Sequence, residues 1–385
     1  MSASIFSDAF KDTRASKGTC PFNDQDDPVT MLLRFKDVRK TAHNAKDFSS
    51  AAKPGRIVVP SEVNIRDTRQ IPFEVDPPEH TEYRALVEDW FKRPLDTDYE
   101  FKLTRIVEAE IDRVLQKGAI EVISELSLPI QSKALTLLLN ISLSEAETWI
   151  SWGTHVFRSE DSDLDADKAS ILYDYIDAEI DKAIAAPDDS LYSVLLNSEY
   201  QGRKMTKEEV KGVLILTFAG GRDTVINYLT NTISYLAEHP EAIEKLNNNP
   251  SLVNTAIEEF VRYFSPLTHM GRVIKEEKEI SGHIAKEDTR VSLCWASANR
   301  DEAVFEKANE IVLDRKMNPH VAFGFGAHKC LGATHARQLM KVFLRVLTEK
   351  VSTIEIIDAV ENIEDWGAHK RKVGFDKLTI RLNAK

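Results

Sequence analysis

The chain has 385 residues, a formal net charge of −12 at pH 7, three cysteines and no evident repeat or low-complexity tract. The acidic balance argues against a nucleic-acid partner, and no apolar run is long enough to predict a membrane span. Cys20, Cys294 and Cys330 are odd in number and far apart, which argues against a disulfide framework and favours a reducing, cytoplasmic location.

Two ranges frame the predicted organisation of the chain. Residues 1–27 are polar and predict a flexible tail, whereas residues 28–385 predict a single domain because no linker interrupts them. Apolar residues recur at helical spacing in residues 95–117 and again in residues 126–143. Short strands are expected after residue 351. The pattern predicts a mainly α protein with small β-sheets, in the α+β class.

A helix is predicted to begin within residues 76–91, DPPEHTEYRALVEDWF. Its prolines fall in the first turn, where a missing N–H group costs nothing. His80 and Arg84 are four residues apart, so they share one face of this helix. Taken alone, such a pair is usual on a solvated helix face, and the sequence at this point leaves that alternative open.

A second, longer helix is predicted over residues 206–238. Thr206 and Glu209 form the capping-box pattern that marks a helix start. Gly220 and Gly221 stand in the middle of the helix, where each glycine costs about 1 kcal/mol relative to alanine. A cost of this kind indicates a local widening that makes room for a ligand.

The sequence FGFGAHKCLG surrounds one cysteine with glycines and places it just before an alanine-rich helix. In this segment, called the Cys loop (residues 323–332), Cys330 lies near a helix N-terminus, where the helix dipole favours a thiolate. A thiolate there is either a nucleophile, with His328 as its base, or a metal ligand. No second cysteine or histidine lies at zinc spacing, whereas one axial position on haem iron suits a single thiolate. A buried structural cysteine is the plain alternative.

The pattern F-G-x-G-x-H-x-C-x-G resembles the haem-binding loop of soluble bacterial cytochromes P450. Three further segments, DPPEH, AGGRDTV and EFVR, occur in the order typical of that family, and the resemblance covers roughly residues 34–382. It implies the cytochrome P450 fold, haem b, and a haem-thiolate monooxygenase that activates O2. It also implies a [2Fe–2S] ferredoxin with an NAD(P)H-dependent ferredoxin reductase as partners, and a monomer. An H2O2-driven peroxygenase and a non-catalytic haem sensor are the alternatives.

The resemblance also assigns residues to the site. It implies that Cys330 is the axial iron ligand and that Asp223 and Thr224 form the catalytic pair, an acid that relays protons beside an alcohol that donates hydrogen bonds. The alternative for this pair is a back-bond from Thr224 to its own helix and a surface carboxylate at Asp223. Arg222, unusual at its position, could pair with Asp223. The implied cofactor-binding residues are His80, Arg84, Gly220, Arg272, His320, Phe323, Gly324, His328, Cys330 and Gly332.

The family resemblance further implies that residues 64–72, the roof loop, cover the active site. The loop is polar here, and inward-facing charges would favour a small polar substrate because an apolar one would leave them unpaired. The candidate substrate-binding residues are Arg66, Arg69, Thr268, His269 and Phe375. The chain also resembles marine-bacterial members that demethylate 6-O-methyl-D-galactose oxidatively. Hydroxylation of a terpenoid or fatty-acid-like substrate is the alternative.

A local basic patch is expected on the face nearest the sulfur, despite the acidic balance of the whole chain. Such a patch would steer an acidic ferredoxin towards the haem. The residues expected in it are Lys92, Arg93, Lys329, Arg337 and Lys341.

Overall fold

The computed structural model describes residues 7–158 and 163–385, and helices dominate this part of the chain. The helices are α1 (Lys11–Ser16), α2 (Phe35–His43), α3 (Glu79–Glu88), α4 (Thr97–Leu115), α5 (Leu128–Leu139), α6 (Glu145–Ser151), α7 (Ala166–Ala185), α8 (Leu191–Asn197), α9 (Lys207–Gly221), α10 (Asp223–Glu238), α11 (Pro240–Asn248), α12 (Val253–Phe264), α13 (Trp295–Ala298) and α14 (Ala333–Lys350).

The strands are short except for one carboxyl-terminal hairpin. They are β1 (Thr19–Asp24), β2 (Asp27–Leu32), β3 (Phe48–Ser49), β4 (Ile120–Glu121), β5 (Glu199–Tyr200), β6 (Arg203–Lys204), β7 (His269–Ile274), β8 (Lys278–Ile280), β9 (His283–Ala285), β10 (Arg290–Cys294), β11 (Val351–Asp365) and β12 (Lys370–Ala384). The predicted mainly α class with small sheets is confirmed.

The larger sheet has the strand order β1-β2-β10-β7-β3. Strand β10 runs parallel to β2 and antiparallel to β7, so β7 is held on both edges. The long hairpin β11–β12 pairs with β4 in a second sheet. Because β7 lies inside its sheet, the direction of each of its side chains is fixed by the pleat.

The amino-terminal segment is ordered where the structure describes it. Arg14, in α1, is 4% exposed and donates to the carbonyl oxygens of Ser297 (3.2 Å) and Arg300 (2.9 Å). Strand β1 pairs with β2 along its whole length. The prediction of a flexible tail over residues 1–27 is therefore wrong for residues 7–27, because distant parts of the chain supply partners that the local sequence does not show.

The long predicted helix is present but interrupted at Arg222. Thr206 caps its start, since the Thr206 hydroxyl accepts from the Glu209 N–H at 3.2 Å and the Glu209 carboxylate accepts in return, as predicted. The side chains of α9 pack in one hydrophobic cluster with α5, α7 and α8. Those of α10 pack in another with α4, α12 and α14. The break thus lies where the two halves of the core meet.

A buried ionic cluster ties α12 to the segment that precedes the Cys loop. Glu259 and Arg262 are both 0% exposed, and the Arg262 guanidinium donates twice to the Glu259 carboxylate at 2.8 Å. Arg315 donates to the same carboxylate at 2.8 Å. The predicted pairing of these three residues is confirmed. The other Arg262 nitrogen donates to the carbonyls of Asn299 and Ala308.

Residues 159–162, in the acidic stretch before α7, lie outside the described ranges. Helix α7 begins after an N-cap at Asp165. None of the helices in the described ranges has both the length and the apolar character needed to cross a bilayer.

Candidate active site

The Cys loop has the bent shape that its glycines predict. Gly324 and Gly326 have φ angles of +72° and +75°, in the left-handed region that favours glycine. A Cβ atom on Gly326 would lie 2.6 Å from the Ala42 carbonyl oxygen, so no larger residue fits there. The Cys330 N–H donates to the Phe323 carbonyl at 2.7 Å. Gly332 then forms the N-cap of α14.

The Cys330 sulfur is surrounded by protein yet has accessible surface. Burial raises the pKa of the Cys330 thiol, and the opposing effects of the Gly332 N–H and of nearby cations are smaller. Helix-end stabilisation of a free thiolate, which the sequence favoured, is thus outweighed by desolvation. Cys330 is nevertheless exposed. A raised thiol pKa and an exposed residue both fit a sulfur that opens onto an internal space. A metal cation bound there would deprotonate the thiol.

Open space is also found at the end of α9. Gly220 is exposed although Thr217 and Phe218, in the turn before it, are buried. A Cβ atom on Gly220 would have no neighbour within 4 Å. The structure thus has room beside Gly220, where the sequence predicted a widened helix. The helix breaks at Arg222, one residue after Gly221.

Three basic side chains meet beside the Cys loop without an acidic partner. The imidazole rings of His80 and His328 lie 4.2 Å apart, centroid to centroid. The His80 Nδ1 atom and both ring nitrogens of His328 are buried and have no hydrogen-bond partner. Arg272 is 3% exposed and its recorded hydrogen bond goes to the Gly271 carbonyl at 2.7 Å. These groups form a site for an anion.

The electrostatics of this cluster agree with an anionic ligand. Burial, followed by the charges of Arg84 and Arg272, lowers the pKa of His80 to about 4. Burial, Arg272 and His80 lower the pKa of His328 to about 2. Burial also lowers the pKa of Arg272 to about 10. A carboxylate placed among them would oppose each of these shifts, since it favours the charged forms.

Two of the residues expected to bind the propionates have other roles. Arg84 donates to the Lys329 carbonyl at 2.6 Å, so it supports the Cys loop. His320 is bonded through Nε2 to the Glu258 carboxylate at 2.8 Å and accepts from the Ala322 N–H at 3.3 Å. The prediction for His320 is wrong, because both of its nitrogens are already occupied within the protein.

The break between α9 and α10 holds the predicted catalytic pair. Arg222 does not pair with Asp223, as had been considered; its guanidinium donates to the carbonyls of Trp149 and Thr154, at 2.5 and 2.9 Å. The Asp223 Oδ2 atom lies 2.8 Å from the Nδ1 atom of His155. Thr224 Oγ1 donates to the Gly220 carbonyl at 3.1 Å, which is the back-bond of the alternative interpretation.

The two arginines of the roof loop are held by groups that flank the loop. Arg66 is 0% exposed in its side chain and forms ion pairs with Glu62 at 2.9 Å and Glu74 at 2.7 Å. Arg69 donates to the Glu74 carbonyl and is half-buried. Gly212 of α9 touches the loop so closely that a Cβ atom there would lie 2.4 Å from the Arg69 carbonyl. The prediction that Arg66 binds substrate is not supported, because its hydrogen bonds end within the protein.

The candidates on and before β7 also face other groups. Thr268 accepts from Arg371 at 2.6 Å and bonds to Glu364. The ring of His269 bonds to Ser292 and lies 4.2 Å from the ring of Trp366. Since side chains alternate along a strand, His269 points to the face opposite to Arg272. Thr268 and His269 are therefore corrected to residues that stabilise the sheet and the hairpin.

Phe375 lies within the hydrophobic core and is 4% exposed. Its ring is 4.1 Å from the Lys372 ammonium group. The adjacent Gly374 packs against α10, where a Cβ atom would lie 2.6 Å from the Asn227 side-chain oxygen. Strand β12 thus approaches the second half of the broken helix, as expected, but Phe375 itself is a core residue.

Sequence reasoning missed His155, Glu62 and Glu74. His155 lies in the loop after α6, 68 residues before its partner Asp223, and no motif marks it. Glu62 and Glu74 flank the roof loop, and only the presence of five charged residues within positions 62–74 could have indicated mutual pairing.

Comparisons with known proteins agree on one family. The family model described as Cytochrome P450 matches residues 154–353. The chain is 31% identical over 364 residues to Cytochrome P450 109 of Bacillus spizizenii, covering 92% of this chain and 86% of that protein. It is 30% identical over 342 residues to linalool 8-monooxygenase of Pseudomonas putida, covering 84% and 83%. The chain belongs to the cytochrome P450 family.

A solved structure described as that of a carbohydrate active P450 is 62% identical to the chain. Its TM-score is 0.98, and the match covers both chains completely. The chain is accordingly a cytochrome P450 monooxygenase with the P450 fold, and it binds haem b.

The residues present fit haem b. The unpartnered ring nitrogens of His80 and His328, with the Arg272 guanidinium beside them, suit the two propionates, and the exposed Cys330 suits the iron. Phe323 packs under the Arg337 guanidinium, 4.3 Å from ring centre to guanidinium carbon, which orients the start of the Cys loop. The open space beside Gly220 leaves room on the side of the broken helix.

Proposed function

We propose that this P450 is a haem-thiolate enzyme with Cys330 as axial ligand, and that it removes the methyl group of a methylated sugar, with 6-O-methyl-D-galactose as substrate. The observation that carries this proposal is the 62% identity, over both full chains, to the carbohydrate active P450. Relatives at 30–31% identity include a linalool monooxygenase, so family membership alone does not favour a sugar.

The proposed reaction is an oxidative O-demethylation. When bound, haem supplies the activation of O2 and the transfer of one oxygen atom to the methyl carbon. The resulting hemiacetal breaks its bond between the methyl-derived carbon and the sugar oxygen, which yields galactose and formaldehyde. The second oxygen atom leaves as water, and NAD(P)H supplies the two electrons through its partner proteins. Asp223 and Thr224 are proposed to move the protons that this water requires.

Fewer side chains of the roof loop could bind a polar substrate than the sequence predicted. Arg66 is ion-paired with Glu62 and Glu74, whereas Arg69 is half-buried and Asp67 is exposed. Of the predicted substrate residues, Arg69 alone is partly exposed, so its donors could meet a sugar hydroxyl. A terpenoid would leave such donors unpaired at a cost of about 1–3 kcal/mol each if they lose water.

A substrate titration tests the proposal. We expect 6-O-methyl-D-galactose to shift the ferric iron to high spin and, with reductant and O2, to release one formaldehyde per sugar consumed. D-Galactose, which lacks only the methyl group, is the matched control and should release none. A spin shift with linalool or a fatty acid, and none with the methylated sugar, would contradict the sugar substrate. Equal product with H2O2 alone would favour a peroxygenase.

The role of Thr224 is tested by its replacement with alanine. We expect Thr224→Ala to keep NAD(P)H consumption but to divert most of the reduced O2 to H2O2, because a hydrogen-bond partner of the proton pathway is lost. The readout is product formed per NAD(P)H. Thr217→Ala is the control, since Thr217 makes the same back-bond, to Val213 at 2.8 Å, before the helix break. Equal uncoupling in both variants would assign Thr224 a structural role.

We propose that an acidic [2Fe–2S] ferredoxin and an NAD(P)H-dependent reductase supply the electrons. We also propose that the enzyme is a cytoplasmic monomer. The basic patch is weaker than predicted, because Lys92, Arg337 and Lys341 pair with Asp89, Glu258 and Glu100. Arg93 lies over the Trp90 ring at 4.1 Å.

Lys329 is exposed in the Cys loop and forms no salt bridge with any residue of the described ranges. We expect Lys329→Glu to slow reduction by the ferredoxin several-fold at low salt, with a smaller difference at high salt. The comparison is stopped-flow reduction of this variant and of Lys286→Glu, an exposed lysine after β9. Identical rates in the two variants would place the docking face elsewhere.

A further inference from the structure

An ionisable side chain outside the family motifs is bonded to the proposed proton-relay acid. His155 lies in the loop between α6 and α7, and its Nδ1 atom is 2.8 Å from Asp223 Oδ2. The His155 side chain is 21% exposed, so its ring can reach water. The other carboxylate oxygen, Asp223 Oδ1, is buried and has no hydrogen-bond partner in the structure. Asp223 thus has one oxygen on the histidine and one oxygen free to pass a proton on.

The loop that carries His155 is fixed to the helix break. Arg222 donates to the carbonyls of Thr154, Gly153 and Trp149, on the amino-terminal side of His155. Because Arg222 is also the residue that separates α9 from α10, the same side chain shapes the break and holds the loop against it. Arg222 is 1% exposed, so this contact is part of the core. The His155–Asp223 pair therefore has a rigid frame.

The charges that face the pair come from its own loop and from two other segments. Arg158, on the same loop, and Lys168, in α7, oppose protonation of His155, while Asp223 favours it. Glu62, before the roof loop, lies close enough to Asp223 to interact with it and is 3.7 Å from Arg158. Although burial acts to lower it, the charge and hydrogen bond of Asp223 leave the pKa of His155 raised above its usual value.

Histidine is suited to pass protons from solvent to a carboxylate whose free oxygen, here Asp223 Oδ1, is buried. Its ordinary pKa, about 6.5, lies nearest to neutral pH among the side chains, so both forms are populated during turnover. One ring nitrogen can take a proton from water while the other gives a proton away. A carboxylate paired with a lysine or arginine lacks this property, because those cations rarely lose their proton.

We propose that His155 is the residue that delivers protons from solvent to Asp223. In this route the His155 Nε2 atom takes a proton from water, the Nδ1–H group gives one to Asp223 Oδ2, and the acid passes it towards the helix break. The route moves protons only, so it needs no further oxidant or reductant. It rests on the relay role proposed above for Asp223, and it does not depend on the identity of the substrate.

The pair is tested first without substrate. In the diamagnetic ferrous–CO holoenzyme, the imidazole resonances of His155 are followed against pH by NMR, in the wild type and in Asp223→Asn. We expect the wild-type pKa to lie above the ordinary value for histidine and to fall in the variant, because the carboxylate that raises it is removed. A His155 pKa that is the same in both proteins would overturn the proposal.

The second measurement is product formed per NAD(P)H as a function of pH. We expect this ratio to fall as pH rises through the pKa of His155, since the protonated ring is the donor. His155→Gln keeps a hydrogen bond to Asp223 but cannot titrate, so it should lack this pH dependence. At low pH, the rate of product formation by His155→Gln should drop about tenfold. This loss is smaller than the roughly 10²–10⁴-fold effect typical of general acids, because water can substitute for the imidazole ring.

A matched control is available at the other end of α10. His239 is bonded to the Glu241 carboxylate at 3.0 Å, far along the helix from the break. His239→Gln should keep the wild-type pH profile. If His155→Gln and His239→Gln both match the wild type, the proposal is overturned. If neither the wild-type enzyme nor the variants act on the methylated sugar, the substrate proposal fails. The NMR titration still decides the role of His155 in that case.

Discussion

Replacement of Cys330 by serine is expected to abolish both the strongly red-shifted Soret band of the ferrous–CO form and the monooxygenase activity. A serine hydroxyl cannot supply the thiolate on which the band and the O2 chemistry depend. We expect activity to fall by more than about 100-fold, since changes to outer partners of metal ligands already reach that size. The fold should persist, because Cys330 is exposed and serine is close to it in size.

Cys20→Ser is the control for this experiment. Cys20 lies in strand β1 and is buried in a hydrophobic cluster away from the Cys loop. It should keep the shifted band at some cost in stability. Retention of that band by Cys330→Ser, or an imidazole-like band in the wild type, would show that another residue is the ligand.

Replacement of Arg262 by alanine is expected to destabilise the protein by about 3–5 kcal/mol, the cost of removing one partner from a buried ion pair. Glu259 would remain at 0% exposure with Arg315 but without its two bonds from Arg262, and three backbone carbonyls, those of Asn299, Ala308 and Glu310, would lose a donor. A loss of this size is a large fraction of the 5–15 kcal/mol typical of whole proteins. Haem content and urea unfolding are the measurements.

Arg337→Ala is the matched control for Arg262→Ala. Arg337 also pairs with a glutamate of α12, but its side chain is 35% exposed, so we expect a loss of at most about 1 kcal/mol. If both variants unfold at the same urea concentration, the buried cluster does not carry the stability assigned to it.

The cluster also predicts how stability depends on pH. Despite burial, the hydrogen bonds from Arg262 and Arg315 lower the pKa of Glu259. The folded state therefore holds this proton less tightly than the unfolded state. The stability that ionised Glu259 contributes is present above its pKa in the unfolded state, about 4.3. It is lost as the pH falls through the pKa of Glu259 in the folded state.

Features encoded by short spacings were predictable from the sequence. The bend of the Cys loop follows from Gly324 and Gly326, the cap from Thr206 and Glu209, and the ion pair from the spacing of Glu259 and Arg262. In each case the partners lie within a few residues, so local geometry decides the contact.

Partners that come from distant segments were not predictable. Arg66 and His320 looked available because nothing near them in sequence shows that Glu74 and Glu258 accept their hydrogen bonds. His155 looked ordinary because Asp223 reaches it only through the tertiary fold. The direction of His269 depends on the pleat of β7, which a sequence position alone does not fix.

The pairing of β2 with β10 sets a condition on biosynthesis. Leu32 lies opposite Leu293, so one edge of the amino-terminal hairpin has no neighbour until most of the chain has left the ribosome. At roughly 5–20 residues per second, this interval is on the order of 10–50 s. An unpaired strand edge invites aggregation unless charges protect it. The turn of the hairpin carries Asp24, Asp26 and Asp27, so its own carboxylates repel other nascent chains while the hairpin waits for its partner strand.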